Sequence, residues 1–379
     1  MRILVAPQGF KGTLTGKQAA ATMAKGVRRA LPDARVEACP VADGGHETLD
    51  VLLEATGGRS FVATVEGPLG DPVDARWGVL GDGETAVVEM ARASGLTLVA
   101  PARRDPWKAS TRGTGQLIRA ALDAGYRRVI VGVGGSATND AGAGAAQALG
   151  ARLLDAGGHD IPRGAAGLTR LAAIDVTAPL AAALLVAADV ANPLCGPDGA
   201  TMTYAPQKGA RGDQLPALEA AIAHFAAVVE RDVGIHIAAM PGGGAAGGLA
   251  AGLVACREAR LAWGAGLVCD ALGIDERIGR ADAVIVGEGR IDAQTLFNKA
   301  PLEVARRARA LGRPVVAIGG SVGAGAEGLR AHGVVVIESA SEDGAPVPGD
   351  AKEAARRLAD ATERALLRAL AEGTLRDLA

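Results

Sequence analysis

Short apolar runs alternate with longer amphipathic stretches along most of the chain. Arg2 to Ala6 reads as a buried strand, stopped by Pro7. Thr15-x-x-Gln18 has the form of a capping box, so a helix starts there and runs to about Ala30, ahead of Pro32. A short strand from Val36 to Val41 and a helix from His46 to Ala55 follow. Between Phe61 and Met90 the pattern changes to short strands broken at Gly67-Pro68, Gly70-Asp71 and Gly81-Asp82. Alternation resumes with a helix from Gln116 to Ala124 and a strand from Arg128 to Val133. Further strands are expected at Leu184 to Ala187, Ala283 to Val286, Pro314 to Ile318 and Val334 to Ile337. The last helix, Ala351 to Ala371, carries Leu358, Ala361, Ala365 and Ala369 on one face. Glu353–Arg357 and Asp360–Arg364 form expected ion pairs on its wet side. Alternating strands and helices predict an α/β protein with largely parallel sheets.

Composition narrows the function. Forty basic against 42 acidic residues give a net charge of −2, which supplies no basic field for nucleic acid. Aromatic residues make up 2%, too few for base-stacking platforms. Cys39, Cys195, Cys256 and Cys269 are scattered without metal-ligand or disulfide-framework spacing, as in a reducing cytoplasm. The N-terminal apolar run is too short for a signal peptide. Val233 to Cys256 lacks charge but contains Pro241 and a glycine cluster, which argues against a membrane span. The chain is expected to be soluble and cytoplasmic, with no membrane partner.

Glycine turns carry the candidate chemistry. Gly12 to Lys17 is one residue short of a Walker loop and lacks the following hydroxyl. Gly132-Val-Gly134-Gly-Ser-Ala137, with Asp155 downstream, and Gly242 to Gly247 both match the dinucleotide fingerprint. In a chain with 54 glycines such matches arise by chance, so each is weak alone. The segment Gly134-Gly135-Ser136-Ala137-Thr138-Asn139-Asp140 is richer: two hydroxyls, an amide and a carboxylate lie on one turn. Converging backbone N–H groups there suit a polyphosphate, with Ser136 and Thr138 donating to its oxygens. The competing reading makes Asn139 or Asp140 an ordinary helix cap. Three acid-bearing turns follow predicted strands: Asp43 in Asp43-Gly44-Gly45, Asp189 with Asn192, and Glu288-Gly-Arg290-Ile-Asp292 with Lys299 beyond. Strand ends are where ligands of parallel sheets bind, so these turns predict one shared site. His46, beside Asp43, is the histidine nearest a candidate site.

The ordered motifs ADGG (42–45), RGTG (112–115), GGSATND (134–140), ADVANPL (188–194), PQKGA (206–210), PGGGAAGG (241–248) and GEGRIDAQT (287–295) resemble those of the bacterial glycerate kinase family. The resemblance implies ATP-dependent phosphorylation of D-glycerate at its 2-hydroxyl, giving 2-phosphoglycerate and ADP. It further implies two Rossmann- or flavodoxin-like α/β domains, about 1–66 with 284–379 and an inserted 67–283, and an active site in the cleft between them. Mg²⁺–ATP is placed against the 134–140 turn, so that Gly134, Gly135, Ser136, Thr138, Asn139 and Asp140 are cofactor contacts, with Lys208 and Arg112 near the phosphates. Asp189 is the first choice for Mg²⁺ or base chemistry, Asp43 the second, and Asp292 orients the acceptor hydroxyl. Phe10, Lys11, Arg290 and Lys299 are assigned to glycerate, a small-molecule partner; a homodimer is compatible with the reading.

Several positions depart from the family pattern. Gln8-Gly9 stands where many relatives have Asp-Ser, and His46-Glu47 where an acidic residue and Gly are common. Asn298 and Glu303 replace usual glycines. These changes bear on acceptor preference more than on kinase chemistry. An NAD(P)-dependent oxidoreductase using Gly132 to Ala137 and a nucleotide-binding module without turnover are the alternatives.

Overall fold

The computed structural model describes residues 1–10, 12–176, 180–297, 299–341 and 350–375. Their strands are β1 (Arg2–Pro7), β2 (Arg35–Ala38), β3 (Arg59–Glu66), β4 (Pro72–Val79), β5 (Thr85–Glu89), β6 (Arg128–Gly132), β7 (Arg152–Leu154), β8 (Ala173–Asp175), β9 (Ala183–Ala188), β10 (Arg260–Trp263), β11 (Ala283–Ile291), β12 (Val315–Val322) and β13 (Val334–Ser339). The chain divides into two compact units. Met1–Asp43, Asp50–Ala55 and Ala265–Ala379 form the first; Gly44–Leu49 and Thr56–Gly264 form the second.

The first unit is built on a parallel sheet in the order β13-β12-β11-β1-β2. Strands β1, β11 and β12 are almost wholly buried, which explains their unbroken apolar runs: helices cover both faces of such a sheet. The chain builds outward to β2 on one side of β1 and through β11, β12 and β13 on the other. The carboxyl ends of β1 and β11 therefore form a topological switch point, the usual ligand crevice of open α/β sheets. Helix Gly16–Ala30 begins with the expected capping box, Thr15 and Gln18 exchanging side-chain-to-backbone bonds of 3.2 and 2.9 Å. It crosses helix Ala351–Ala371 at Gly26, where any Cβ would stand 2.4 Å from the Ala359 carbonyl oxygen. Glu353 and Arg357 pair at 2.7 Å. Asp360 instead takes Arg29 at 2.8 Å, and Arg364 reaches Glu338. The expected Asp360–Arg364 pair loses to Arg29 and Glu338, brought in by other elements, and to Arg356 of the same helix, 3.0 Å from Asp360.

The second unit contains a sheet in the order β10-β9-β6-β5-β4-β3, in which β3 and β4 are antiparallel additions to a parallel set, and a small antiparallel pair, β7 and β8. Its core includes Trp77, Val88, Leu117, Val131, Val186 and Leu249. The unit borders differ from those drawn at 66/67 and 283/284. Strand β3 pairs along its full length with β4, so 59–66 goes with the second sheet. Residues 265–282 stay with the first, where Arg307 of helix Ala300–Ala310 bonds Asp270 and the Gly266 carbonyl. No helix among the described residues is long and apolar enough to cross a membrane. Much of 233–256 lies in helix Ala245–Arg257, which is buried in the second unit.

Candidate active site

In the first unit, candidate residues gather at the switch point. The Gln8 backbone N–H continues the ladder to the Gly287 carbonyl at 2.8 Å, and its side-chain Nε2 donates to Asp43 Oδ2 at 2.6 Å. Glu288, in β11 just past its last pairing with β1, is buried; its carboxylate accepts from Thr295 Oγ1 at 2.7 Å and Lys299 Nζ at 3.0 Å. Burial raises the Glu288 pKa, opposed by Lys299 and Thr295 and reinforced by the charge of Asp43, so the two acids lie within electrostatic reach. Arg290 Nε pairs with Asp292 Oδ2 at 2.7 Å. Asp292 also accepts the Gln294 N–H, capping the turn Ala293–Leu296. Burial works against this carboxylate, but Arg290 and the Gln294 N–H outweigh it and hold its pKa below the usual value.

In the second unit, the turn after β6 packs backbone to backbone against residues 44–46. A Cβ on Gly134 would stand 2.5 Å from the Gly45 Cα, and one on Gly135, whose φ is +77°, would meet the His46 ring. Ala137 N–H donates to the Ser94 carbonyl at 3.0 Å, and Ser136 keeps a small exposed area. The next three residues turn inward. Thr138 Oγ1 donates to the Ala246 carbonyl at 3.3 Å. Asn139 Nδ2 reaches Thr201 Oγ1 at 3.2 Å. The Asp140 carboxylate accepts from Thr111 N–H and Oγ1 at 2.8 and 3.0 Å, and from the Gly142 and Gly144 N–H groups. Desolvation pushes its pKa up, against these donors. Lys208 is also buried; its Nζ donates to the Thr138 carbonyl at 2.7 Å. Asp189 follows β9, the neighbour of β6, and is half-buried.

Three comparisons bear on this arrangement. The model of the glycerate kinase family matches residues 3–370. The chain belongs to the glycerate kinase family. It is 46% identical to a glycerate kinase of Halalkalibacterium halodurans, over 94% of this chain and 97% of that one. It is 43% identical to the glycerate 2-kinase of Escherichia coli strain K12, over 89% of this chain and 90% of that one. The crystal structure of the Salmonella typhimurium LT2 protein assigned as glycerate kinase 2 superposes with a TM-score of 0.84, at 42% identity and 99% coverage of both chains.

Within this member of the family, several expected contacts are redirected. Asp140 accepts the Gly142 and Gly144 N–H groups where helix Ala143–Ala148 begins, and Thr138 and Asn139 brace the turn from inside; all three are fully buried. Phe10 is a core residue, packed with Met23 and Ile285; Lys11 lies outside the described residues. Asn192 is spent on structure: its amide donates to the Asp198 carbonyl and accepts from the Tyr204 hydroxyl. Arg112 pairs with Glu66 and lines a cavity of about 460 Å³ with Arg152 and Arg163, whose lining includes no residue of the 134–140 turn. Asp155 closes an exposed turn through the Gly157 and His159 N–H groups.

The dinucleotide readings fail on the same geometry. After β6 no helix begins until Ala143, so the tight strand–turn–helix of that fingerprint is absent there. Gly242 to Gly247 instead backs the turn, since a Cβ on Gly247 would lie 2.0 Å from the Thr138 carbonyl oxygen. Glu47 adopts φ +70°, a backbone that glycine takes without strain. Glu288 is the residue that sequence reasoning underrated. Its place beside two glycines at a strand end was the available signal.

Proposed function

We propose that the protein phosphorylates D-glycerate on its 2-hydroxyl with ATP, giving 2-phosphoglycerate and ADP. Membership of the glycerate kinase family makes it a kinase acting on an alcohol group. The observation that carries the finer reading is the cluster at the switch point, where Gln8 holds Asp43 within electrostatic reach of the buried Glu288, itself paired with the part-buried Lys299. A small hydroxy acid needs these two things: a cation for its carboxylate and a basic oxygen for its proton. Lys299 and the exposed Arg290 supply cations. Asp43 accepts the proton as the acceptor oxygen bonds to the γ-phosphorus and the bond to the β,γ-bridging oxygen breaks. Asp292, fixed by Arg290 and its own turn, orients the guanidinium more than the hydroxyl.

The second unit is assigned to the donor. Gly134, Gly135 and the Ser136 hydroxyl form the outer part of the turn; Thr138, Asn139, Asp140 and Lys208 keep its shape. Among the described residues no three acidic, His or Cys side chains gather to cage a metal. Mg²⁺ holds most of its waters and takes phosphate oxygens, so the carboxylate of Asp189 alone would fit it. When bound, the ion offsets phosphate charge. The unpaired cysteines are consistent with a cytoplasmic enzyme.

The test is ADP release with D-glycerate, L-glycerate and other small hydroxy acids. The expected result is release that depends on D-glycerate, with a product that enolase consumes directly. ADP formation indifferent to acceptor would refute the proposal, and a product inert to enolase would refute the 2-hydroxyl assignment.

A further inference from the structure

We propose that Gln8 is a specificity-determining residue for the acceptor, its amide N–H holding Asp43 while its carbonyl oxygen Oε1 accepts a hydrogen bond from the non-reacting hydroxyl of a 2,3-dihydroxy acid. This rests on the acceptor site proposed above and adds to it a reason for choosing glycerate over acids with one hydroxyl. An ionised carboxylate only accepts hydrogen bonds, so the 2.6 Å contact to Asp43 Oδ2 must be made by Nε2. That fixes the amide orientation and turns Oε1 away from Asp43. Oε1 is buried and meets no donor among the described residues. Leaving a buried acceptor in that state is costly, and the cost vanishes when a ligand brings the donor.

Glycerate has two hydroxyls to offer. The one that attacks phosphorus must give up its proton to a basic group, a role open to Asp43 but closed to an amide carbonyl. The remaining hydroxyl keeps its proton and can donate it. Gln8 follows β1 directly, its N–H is bonded to Gly287 of β11, the residue before Glu288, and its side chain holds Asp43, so it lies beside both acids.

The experiment compares kcat/KM for D-glycerate and D-lactate, which lacks the second hydroxyl, in the wild type, Gln8→Met and Gln8→Glu. Where lactate turnover is too slow, its inhibition constant against glycerate replaces it. The wild type should prefer glycerate by about 10- to 100-fold. Gln8→Met keeps the length of the side chain and removes both polar atoms. Loss of the Asp43 contact affects both substrates alike, so the glycerate-to-lactate ratio isolates Oε1 and should fall to within about threefold of unity. Gln8→Glu retains an acceptor and should keep the preference. Its acidic limb should move to higher pH, because two facing carboxylates do not both ionise readily. Should Gln8→Met fail to fold by circular dichroism, Gln8→Glu decides the matter. A ratio unchanged in Gln8→Met, a wild type indifferent to the second hydroxyl, or a preference lost in Gln8→Glu overturns the proposal. A wild type that makes no ADP with glycerate overturns the underlying reading instead.

Discussion

Replacing Lys208 by Met tests how the 134–140 turn is held. Lys208 closes the turn Pro206–Lys208 and is 1% exposed, its ammonium bonded to the Thr138 carbonyl. Burial pushes its pKa down from 10.5 to about 7, with the Asp140 charge acting in the opposite direction. The unfolded chain thus keeps the proton up to about pH 10.5, while the folded protein releases it near pH 7. Between those values the unfolded state binds more protons, so this group makes stability rise with pH and fall as pH drops toward 7. Below about pH 7 both states are protonated and its contribution levels off. From about pH 7 to pH 8.5, weighting by the folded-state proton occupancy, the gain is about 1.5 kcal/mol.

Lys208→Met abolishes the titration at nearly constant side-chain length. Urea unfolding of both proteins across that range should show the wild type gaining about 1.5 kcal/mol on the variant. Taking the difference cancels the other titrating groups, including thiols such as Cys39, which burial pushes up to about 11. At pH 7 the variant avoids desolvating an ammonium but strands the Thr138 carbonyl, so its stability there should be close to wild type. Parallel stability curves would show that Lys208 titrates normally and that its burial does not shape the turn. Because the turn relaxes without its inner brace, KM for ATP should also rise in the variant.

Other consequences can be measured separately. Asp43→Asn and Asp189→Asn should each lower kcat by about 10²- to 10⁴-fold with unchanged circular dichroism, and near wild-type turnover in either would remove that residue from the chemistry. Arg290→Ala should raise KM for glycerate about tenfold, as expected from losing one charge-assisted contact at an exposed site, with little change in kcat; an unaltered KM would free Arg290 from the carboxylate role. Gly247→Ala combines φ +67° with a Cβ 2.0 Å from the Thr138 carbonyl oxygen, and should cost about 3 kcal/mol in urea unfolding. A loss under about 0.5 kcal/mol would mean that the two backbones part easily.

The order of strands and helices was legible in the chain itself because it depends on near neighbours. Thr15 and Gln18 state a helix start within four residues, and the uncharged runs of β1, β11 and β12 state strands buried on both faces. The ordered glycine motifs were likewise enough to identify the family. What local pattern could not supply was the direction in which each polar side chain points. Thr138, Asn139 and Asp140 have the composition of a ligand-binding turn, yet residues 246–248 and Thr111, remote in the chain, arrive behind them and draw their side chains inward. Phe10 went into the core for the same reason, when Met23 and Gly287 closed over it. Glu288 gained its raised pKa only when the fold buried it in β11 and brought the charge of Asp43 near it, against the opposing pull of Lys299. Periodicity is set by bonds along the backbone, whereas burial and charge are set by whatever the fold brings across from elsewhere.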